Sequence, residues 1–268
     1  METKMEQRGI SVEIPDLLKY NHHVVKNPSG KSFTGHSHNQ YEILYFLSGD
    51  ATHVIEDKRY KLKHGDLIIA RPSKYHFIQM DSLADYERHN VLFDHKRLEI
   101  DTSPIPDGLD VVRIEDSGII AGIFEKLDYY SHTFDTERFG EVARLLIQEI
   151  IYNLPLAERA ADEGFSVINP LLSEALAYIA ANIFTIKDIS EVAGAVFVTE
   201  SYLYRLFKKE LFKTPKKYLT EKRLLHAQRE LKKGGKPTEV AEACGFDDYT
   251  TFYRNYVDHF GKAPSDER

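Results

Sequence analysis

Four residues in the first third of the chain have side chains that could bind a metal ion or a polar ligand. They are His36, His38, Glu42 and His76, and we call them the His/Glu set. If the first three belong to one strand, their even spacing points them to the same face. Imidazole nitrogens and carboxylate oxygens are ligands of zinc, iron, manganese and nickel, and they also hydrogen-bond polar molecules.

Three interpretations of the His/Glu set follow from these residue types. The set could hold a divalent metal, it could contact a small polar effector without a metal, or its members could hydrogen-bond to one another inside a barrel. The nearby Tyr41, Tyr45 and Tyr75 suit a sugar or another polar molecule. We favour effector contact and expect no cofactor, and a divalent metal in the barrel stays open as an alternative.

A second kind of chemistry is indicated by two similar stretches near the end of the sequence. Thr199 to Lys209 and Asp248 to Tyr256 each begin with a capping residue, continue through aromatic and aliphatic positions, and carry an Arg one turn or more later. Each follows a short helical pattern and a tight turn. Two such units predict two helix-turn-helix motifs, in which the second helix enters the major groove of DNA.

In each predicted unit one face of the second helix is expected to be buried and the other to meet DNA. The expected buried residues are Tyr202, Leu203, Leu206, Phe207, Phe252 and Tyr256, and Ala193, Ala241 and Ala243 are expected where the helices cross. The expected DNA-facing residues are Ser201, Tyr204, Arg205, Lys208, Tyr249, Thr250, Thr251, Tyr253 and Arg254. Arginine matches the O6/N7 edge of guanine, whereas lysine contacts phosphate.

The elements that must position these residues differ between the two parts of the chain. Short apolar runs between His22 and Phe93, separated by turn residues, predict a β-sandwich or small barrel behind a polar arm at residues 1–20. Helical spacing predicts a helix from Ser117 to His132 and another from Thr136 to Asn153. After Asn169-Pro170 the pattern is helical, with helices expected to open near Leu171, Ile186, Thr199, Thr214, Pro237 and Asp248.

Charge is distributed unevenly along the 268 residues. The net charge of −7 divides into −9 before Ser166 and +2 from there on, and the span from Arg205 to Lys236 holds 12 basic residues against three acids. A local basic excess favours phosphate contact. The first residues carry no apolar signal core and no stretch reaches membrane-spanning length, so we expect a cytoplasmic protein without a membrane partner.

The last hundred residues resemble the DNA-binding domain of AraC/XylS transcription regulators. Five blocks carry the resemblance, and they occur in the order that the family has: Asp188 to Ala193, Ser201 to Lys209, Lys222 to Ala227, Val240 to Asp248, and Phe260 to Arg268. The resemblance implies two helix-turn-helix units joined by a long helix on adjacent major-groove segments. Phe212 stands where the family has a helix-ending Gly, and Pro237 replaces a β-branched residue.

The His/Glu set resembles the two motifs of a cupin barrel. Gly30, His36, His38, Glu42 and Gly49 have the spacing of the first motif, and His76 lies in the second. In cupin enzymes these positions hold a metal. The second motif departs from the enzyme pattern, since Met80 stands where Asn is common. In similar regulators the barrel binds an effector and the following helix pair forms a dimer interface.

These resemblances imply an α+β chain of two domains. Residues 1–155 would form a cupin-like β-barrel with a helix pair, 156–169 a linker, and 170–268 an all-α domain with two helix-turn-helix motifs. The predicted function is a DNA-binding transcription regulator that is not an enzyme and senses a small polar effector. Its expected partners are double-stranded promoter DNA, that effector and a second copy of the chain, with RNA polymerase as a further candidate. The alternative function is a metal-dependent cupin enzyme with a helical accessory domain.

Overall fold

The computed structural model describes residues 6–28, 35–113, 118–156 and 165–267. The chain folds into two compact units. One contains residues 1–34 and 40–166, and the other contains residues 35–39 and 167–268. Several predicted features lie outside the described residues, namely Gly30 of the first cupin motif, Ser117 at the start of the first predicted helix, and residues 157–164 of the linker.

The first unit is built from two β-sheets and a helix pair. Its strands are β1 (Glu6–Ile14), β2 (Leu18–Lys26), β3 (Tyr41–Ser48), β4 (Ala51–Ile55), β5 (Lys58–Lys61), β6 (Asp66–Ala70), β7 (His76–Met80), β8 (Tyr86–Phe93), β9 (Val111–Arg113) and β10 (Phe165–Val167). The larger sheet has the order β1-β2-β8-β3-β6-β9, and the smaller has β10-β5-β4-β7. The helices are α1 (Gly118–Thr133) and α2 (Thr136–Asn153).

Both faces of the larger sheet are covered by other elements, and strand β3 shows how the sequence supplies apolar side chains to both faces. Ile43 and Tyr45 belong to the apolar cluster that includes the buried sides of α1 and α2. Leu44 and Phe46 point to the other face, where they join residues of the smaller sheet in a second cluster. Successive residues of a strand alternate between faces, so an unbroken apolar run satisfies two cores at once.

The predicted polar arm at residues 1–20 is wrong for the described residues, because Glu6–Ile14 forms a strand and a second strand begins at Leu18. β1 pairs antiparallel with β2 along its whole length, from Glu6 opposite Lys26 to Ile14 opposite Leu18. Ile10, Val12 and Ile14 pack against the core beneath the helix pair. The alternation of polar and apolar residues from Ile10 to Ile14 is the pattern of an edge strand with one solvent-exposed face.

A short strand, β10, also occupies three positions of the predicted linker.

The second unit is helical. Its elements are α3 (Pro170–Asn182), α4 (Ile189–Ala195), α5 (Glu200–Leu211), α6 (Pro215–Lys232), α7 (Pro237–Ala243) and α8 (Tyr249–Phe260). Capping residues set most of the starts: Asn169, Asp188, Thr199, Thr214 and Asp248 each accept a hydrogen bond from a backbone N–H of the first turn. Among the described residues, no helix has the length and apolar character needed to cross a membrane.

Candidate functional site

A chain of buried polar side chains crosses the interior of the first unit. The Asn90 side-chain amide donates to Glu42 Oε1 at 2.6 Å, and the Asn21 amide donates to Asn90 Oδ1 at 2.8 Å. On its other oxygen Glu42 meets Nε2 of His76 at 3.0 Å. Asn21, Glu42, His76 and Asn90 are each less than a tenth exposed. The barrel therefore has an oriented polar lining on an otherwise apolar wall.

His76 is held in its charged form by two acceptors. Its Nδ1 lies 2.9 Å from the backbone oxygen of Lys74, which can only accept, while Nε2 faces the Glu42 carboxylate. Burial alone would lower the pKa of His76, but the hydrogen bond and the charge of Glu42 outweigh it, so the pKa is raised. Glu42 and His76 thus form a buried ion pair between the two sheets.

The structure does not place His36 and His38 on one strand with Glu42, as the sequence spacing predicted. Strand β3 begins only at Tyr41, and a bend at Asn39 and Gln40 precedes it. His36 is exposed and His38 half-buried, with ring centroids 5.6 Å apart. Both belong to the 35–39 segment that groups with the second unit, whereas Glu42 and His76 belong to the first. Equal parity is meaningful only within a continuous strand, and here the strand stops short.

The second unit contains two helix-turn-helix motifs whose turns have the same backbone geometry. In the first turn, Val198 N–H donates to Ala193 O and Phe197 N–H to Gly194 O. In the second, Phe246 and Gly245 make the equivalent bonds to Ala241 and Glu242. This paired bonding ends a helix through a left-handed residue, which is usually Gly.

The left-handed position is occupied differently in the two turns. Gly245 has φ +79° in the second turn, whereas the bulky Phe197 has φ +57° in the first and is 95% exposed. Cys244, next to Gly245, is buried, and burial raises the pKa of its thiol to about 11. The two turns therefore have the same backbone conformation, but the left-handed position holds a favourable glycine, Gly245, in one and a strained phenylalanine, Phe197, in the other.

The predicted DNA-facing residues lie on the outward sides of α5 and α8. Tyr204 and Thr251 are half-buried, and the others are exposed: Ser201, Arg205, Lys208, Tyr249, Thr250, Tyr253 and Arg254. Leu203, Leu206, Phe207, Phe252 and Tyr256 are buried as expected. Two expectations are wrong. Tyr202 is 41% exposed with the Arg205 guanidinium 5.9 Å from its ring centre, and Ala243 is exposed, which leaves Ala193 and Ala241 as the buried small residues.

One groove of the second unit is lined by residues of both α5 and α8, the second helices of the two motifs. Tyr204 of α5 and Thr251 and Arg254 of α8 line it, and Lys216 and Lys217 from the first turn of α6 line it as well. Both lysines are exposed. Carboxylates also line this groove, among them Asp188, Asp248 and Asp258, so its lining has mixed charge, and its exposed lysines and Arg254 are the groups that suit a phosphate backbone.

Arg223 on α6 links the two motifs, a role that the residue pattern alone does not reveal. Its guanidinium donates to the carbonyl oxygens of Ile183 at 2.7 Å and Ile186 at 2.6 Å, before the first motif, and to Gly245 at 2.9 Å, in the second turn. A planar group with five donors can tie three chain segments together at once. The sequence contains one weak indication of this role, which is that Arg223 is a basic residue among the apolar positions of a long helix.

The basic excess between Arg205 and Lys236 is smaller at the surface than in the sequence. Lys213 is buried and paired with Glu221, and Arg223 is committed to backbone carbonyls. Arg229 donates to the side-chain oxygen of Asn39 at 3.0 Å. Charges held inside the unit contribute little to the field at its surface, so the surface excess is limited to the exposed lysines and arginines.

Comparison with known proteins agrees with this pair of units. The model of the AraC-like ligand binding domain matches residues 25–154, and a helix-turn-helix domain model matches residues 192–268. The lactose operon transcription activator of Staphylococcus xylosus is 24% identical over the whole of this chain and 92% of its own length. The transcriptional activator RhaR of an Enterobacter species is 27% identical, covering 87% of this chain and 86% of the relative.

A third relative matches over a shorter region. The transcriptional regulator GbdR of Pseudomonas aeruginosa is 32% identical over 60% of this chain, and the match spans 44% of that protein. A β-domain that binds a ligand, followed by two helix-turn-helix motifs, defines a ligand-responsive DNA-binding regulator. The chain belongs to the AraC family of transcriptional regulators.

Proposed function

We propose that this regulator recognises its operator through the outward faces of α5 and α8. The proposal rests on the groove lined by Tyr204, Thr251 and Arg254, because this groove places α5 and α8 on one surface. In this proposal Arg205 and Arg254 read base edges, while Lys208 contacts phosphate. The remaining contacts come from Ser201, Tyr249, Thr250 and Tyr253.

The test compares arginine and lysine variants on matched DNA fragments. Arg205→Ala and Arg254→Ala should each lose about 1–3 kcal/mol of discrimination at a single base pair, since a bidentate contact to guanine is removed. Lys208→Ala should weaken binding equally on all sequences and reduce its salt dependence. Lys63→Ala, at an exposed position between β5 and β6 of the first unit, is the control and should leave binding unchanged. Equal losses on every sequence for both arginine variants would refute base reading.

We further propose that the barrel binds a small polar effector, with a sugar as the first candidate. The polar chain through Asn90, Glu42 and His76 supports this, because it presents oriented donors and acceptors within an apolar enclosure. His36 and His38 remain in the proposal as contacts expected from sequence. One relative is named as the activator of a lactose operon, which makes sugars a reasonable first panel.

A thermal-shift screen of sugars against the full chain tests the effector proposal. A true ligand stabilises by mass action, by about 2.7 kcal/mol at a hundred times its Kd. Glu42→Gln and His76→Gln should lose that shift, whereas Asp81→Asn on the exposed rim should keep it. A ligand shift that survives both barrel substitutions would place the effector elsewhere.

The remaining parts of the function are proposals of the same kind. We propose a homodimer formed through α1 and α2, whose outer sides expose Ile119, Tyr129, Leu145 and Tyr152. The relatives are named as regulators and activators of transcription, which supports a non-enzymatic role over the cupin-enzyme alternative. A regulator of this class would act in the cytoplasm, where promoter DNA and RNA polymerase are found.

A further inference from the structure

A second polar cluster lies on the opposite face of the larger sheet, beneath helix α1. His22 on β2 and His89 on β8 are directly opposite each other in the antiparallel register. Their ring centroids are 3.9 Å apart. Asp128 comes from α1, and one ligand atom from each of the three residues lies within 4.8 Å of the others. These residues play no part in the barrel interior or in DNA contact.

The distances within this cluster are close to those of a tetrahedral metal site. His22 Nδ1 lies 2.8 Å from Asp128 Oδ2, and His89 Nδ1 lies 3.8 Å from Asp128 Oδ1. Zinc bonds of about 2.0–2.1 Å to nitrogen and oxygen at tetrahedral angles separate ligand atoms by roughly 3.3 Å. The observed separations lie on either side of that value. The Tyr20 hydroxyl completes the group, 2.9 Å from His89 Nδ1 and hydrogen-bonded to Asp128.

Glu87 is placed to orient one of the candidate ligands. Its carboxylate lies 2.9 Å from His22 Nε2, the ring nitrogen that faces away from Asp128. A histidine that binds a metal through one nitrogen commonly donates its other N–H to a carboxylate, which fixes the ring and raises its basicity. Strands β2 and β8 and helix α1 are all packed elements, so the donors are held by regular structure.

Charge also favours a cation at this position. Asp128 and Glu87 bring two carboxylates to one half-buried cluster that borders Tyr45 and Phe124. His22 Nδ1 and Asp128 Oδ2 are in hydrogen-bond contact, so a proton lies between the imidazole and the carboxylate. A bound cation would replace that bridging proton.

We propose that His22, His89 and Asp128 form a divalent transition-metal site, of the zinc class, that fastens helix α1 to the larger sheet. Glu87 orients His22, and Tyr20 or solvent supplies the fourth ligand. The donor set of two imidazoles, a carboxylate and one further oxygen suits zinc and its spectroscopic substitute cobalt. This site is separate from the His/Glu set, because it lies on the other face of the sheet.

The experiment uses the full chain, stripped with a chelator and titrated with Co²⁺ and then with competing Zn²⁺. Wild type should develop the visible absorption of tetrahedral cobalt at one equivalent. Asp128→Asn and His89→Gln should bind at least about tenfold more weakly. His132→Gln, at the exposed end of α1, is the matched control, and His76→Gln separates this site from the barrel; both should keep the signal.

A variant-free measurement guards against loss of folding. Zn²⁺ should protect His22 in the wild-type chain from modification by diethylpyrocarbonate, detected by peptide mass spectrometry, and should raise the Tm. Absence of any cobalt signal in wild type would mean that the cluster is a hydrogen-bond network only. A signal lost in His76→Gln but kept in Asp128→Asn would place the metal in the barrel. Either result would overturn the proposal.

Discussion

Single residues decide how the barrel responds to pH, and the Glu42–His76 pair shows how. Both side chains are almost fully buried, and the Glu42 carboxylate favours the charged form of His76. Removing one partner of such a pair is costly, about 3–5 kcal/mol, since the remaining charge is left buried without compensation.

The raised pKa of His76 predicts a definite pH dependence. A histidine whose pKa is higher in the folded state stabilises fully below its unfolded value of about 6.5, and this contribution is lost as pH rises through the folded pKa. The difference in free energy of unfolding between wild type and His76→Gln should thus shrink as pH rises above about 6.5. Urea unfolding across a pH series measures it.

The control for this experiment is His132→Gln, which removes an exposed histidine at the end of α1. Its difference from wild type should stay small at every pH, because an exposed side chain loses few contacts when it is replaced. A wild-type-minus-His76→Gln difference that is flat, or that grows with pH, would show that His76 is not held as an imidazolium by Glu42.

At the scale of elements, the second helix-turn-helix turn is closely approached by the backbone at Phe184. A Cβ at Gly245 would lie 2.4 Å from the backbone oxygen of Phe184, and the residue has φ +79°. Gly261 also has a left-handed φ, of +69°, but a Cβ there would meet no atom within 4 Å. Substituting each glycine in turn therefore separates the cost of a left-handed backbone from the cost of steric overlap.

Gly245→Ala should destabilise the protein far more than Gly261→Ala. The control substitution should cost about 1–2 kcal/mol from left-handed strain alone. Gly245→Ala adds a clash with the Phe184 carbonyl, next to the Ile183 carbonyl that Arg223 binds, so DNA binding should fall together with stability. Chemical denaturation and DNA titration of both variants provide the test. Equal effects of the two substitutions would argue against close packing at Phe184.

Most helices of the second unit could be predicted from the sequence because capping residues mark their starts. Thr199 and Asp248 each act as the expected cap, whereas the helix expected to open near Ile186 begins only at Ile189, after a cap at Asp188. Strand β5 was not predicted, since Lys58–Lys61 is short and largely charged, with only Tyr60 buried. Its place in the smaller sheet is set by pairing with β4, which is information that local residue patterns do not contain.

The candidate sites were only partly predictable for a similar reason. Residue type and spacing identified Glu42 and His76, but the spacing argument failed for His36 and His38 because strand β3 begins after them. Asn21 and Asn90 were missed, since nothing in the sequence shows that β2 and β8 are neighbours. Arg223 was missed because its three carbonyl partners come from separate segments.

At the scale of the whole molecule, the exposed apolar residues of the helix pair predict self-association. Leu145 and Tyr152 on α2 are each 56% exposed and two helical turns apart, so they lie on one side of that helix. Leu145→Glu should place a charge in the proposed dimer interface and shift the protein to monomer. Sedimentation measures the oligomeric state, and Lys63→Glu, at an exposed position between β5 and β6, is the charge control. An unchanged dimer in Leu145→Glu would exclude this face.

The buried position of Cys244 has a practical consequence for measurements on the entire regulator. It is the single cysteine of the chain, and its enclosed thiol with a pKa of about 11 reacts slowly with alkylating reagents. A cysteine engineered on an exposed turn of α2 or α8 would therefore take up a spin label or fluorophore selectively in the otherwise natural sequence. Distances between labelled copies, with and without a sugar, would then report directly on domain movement.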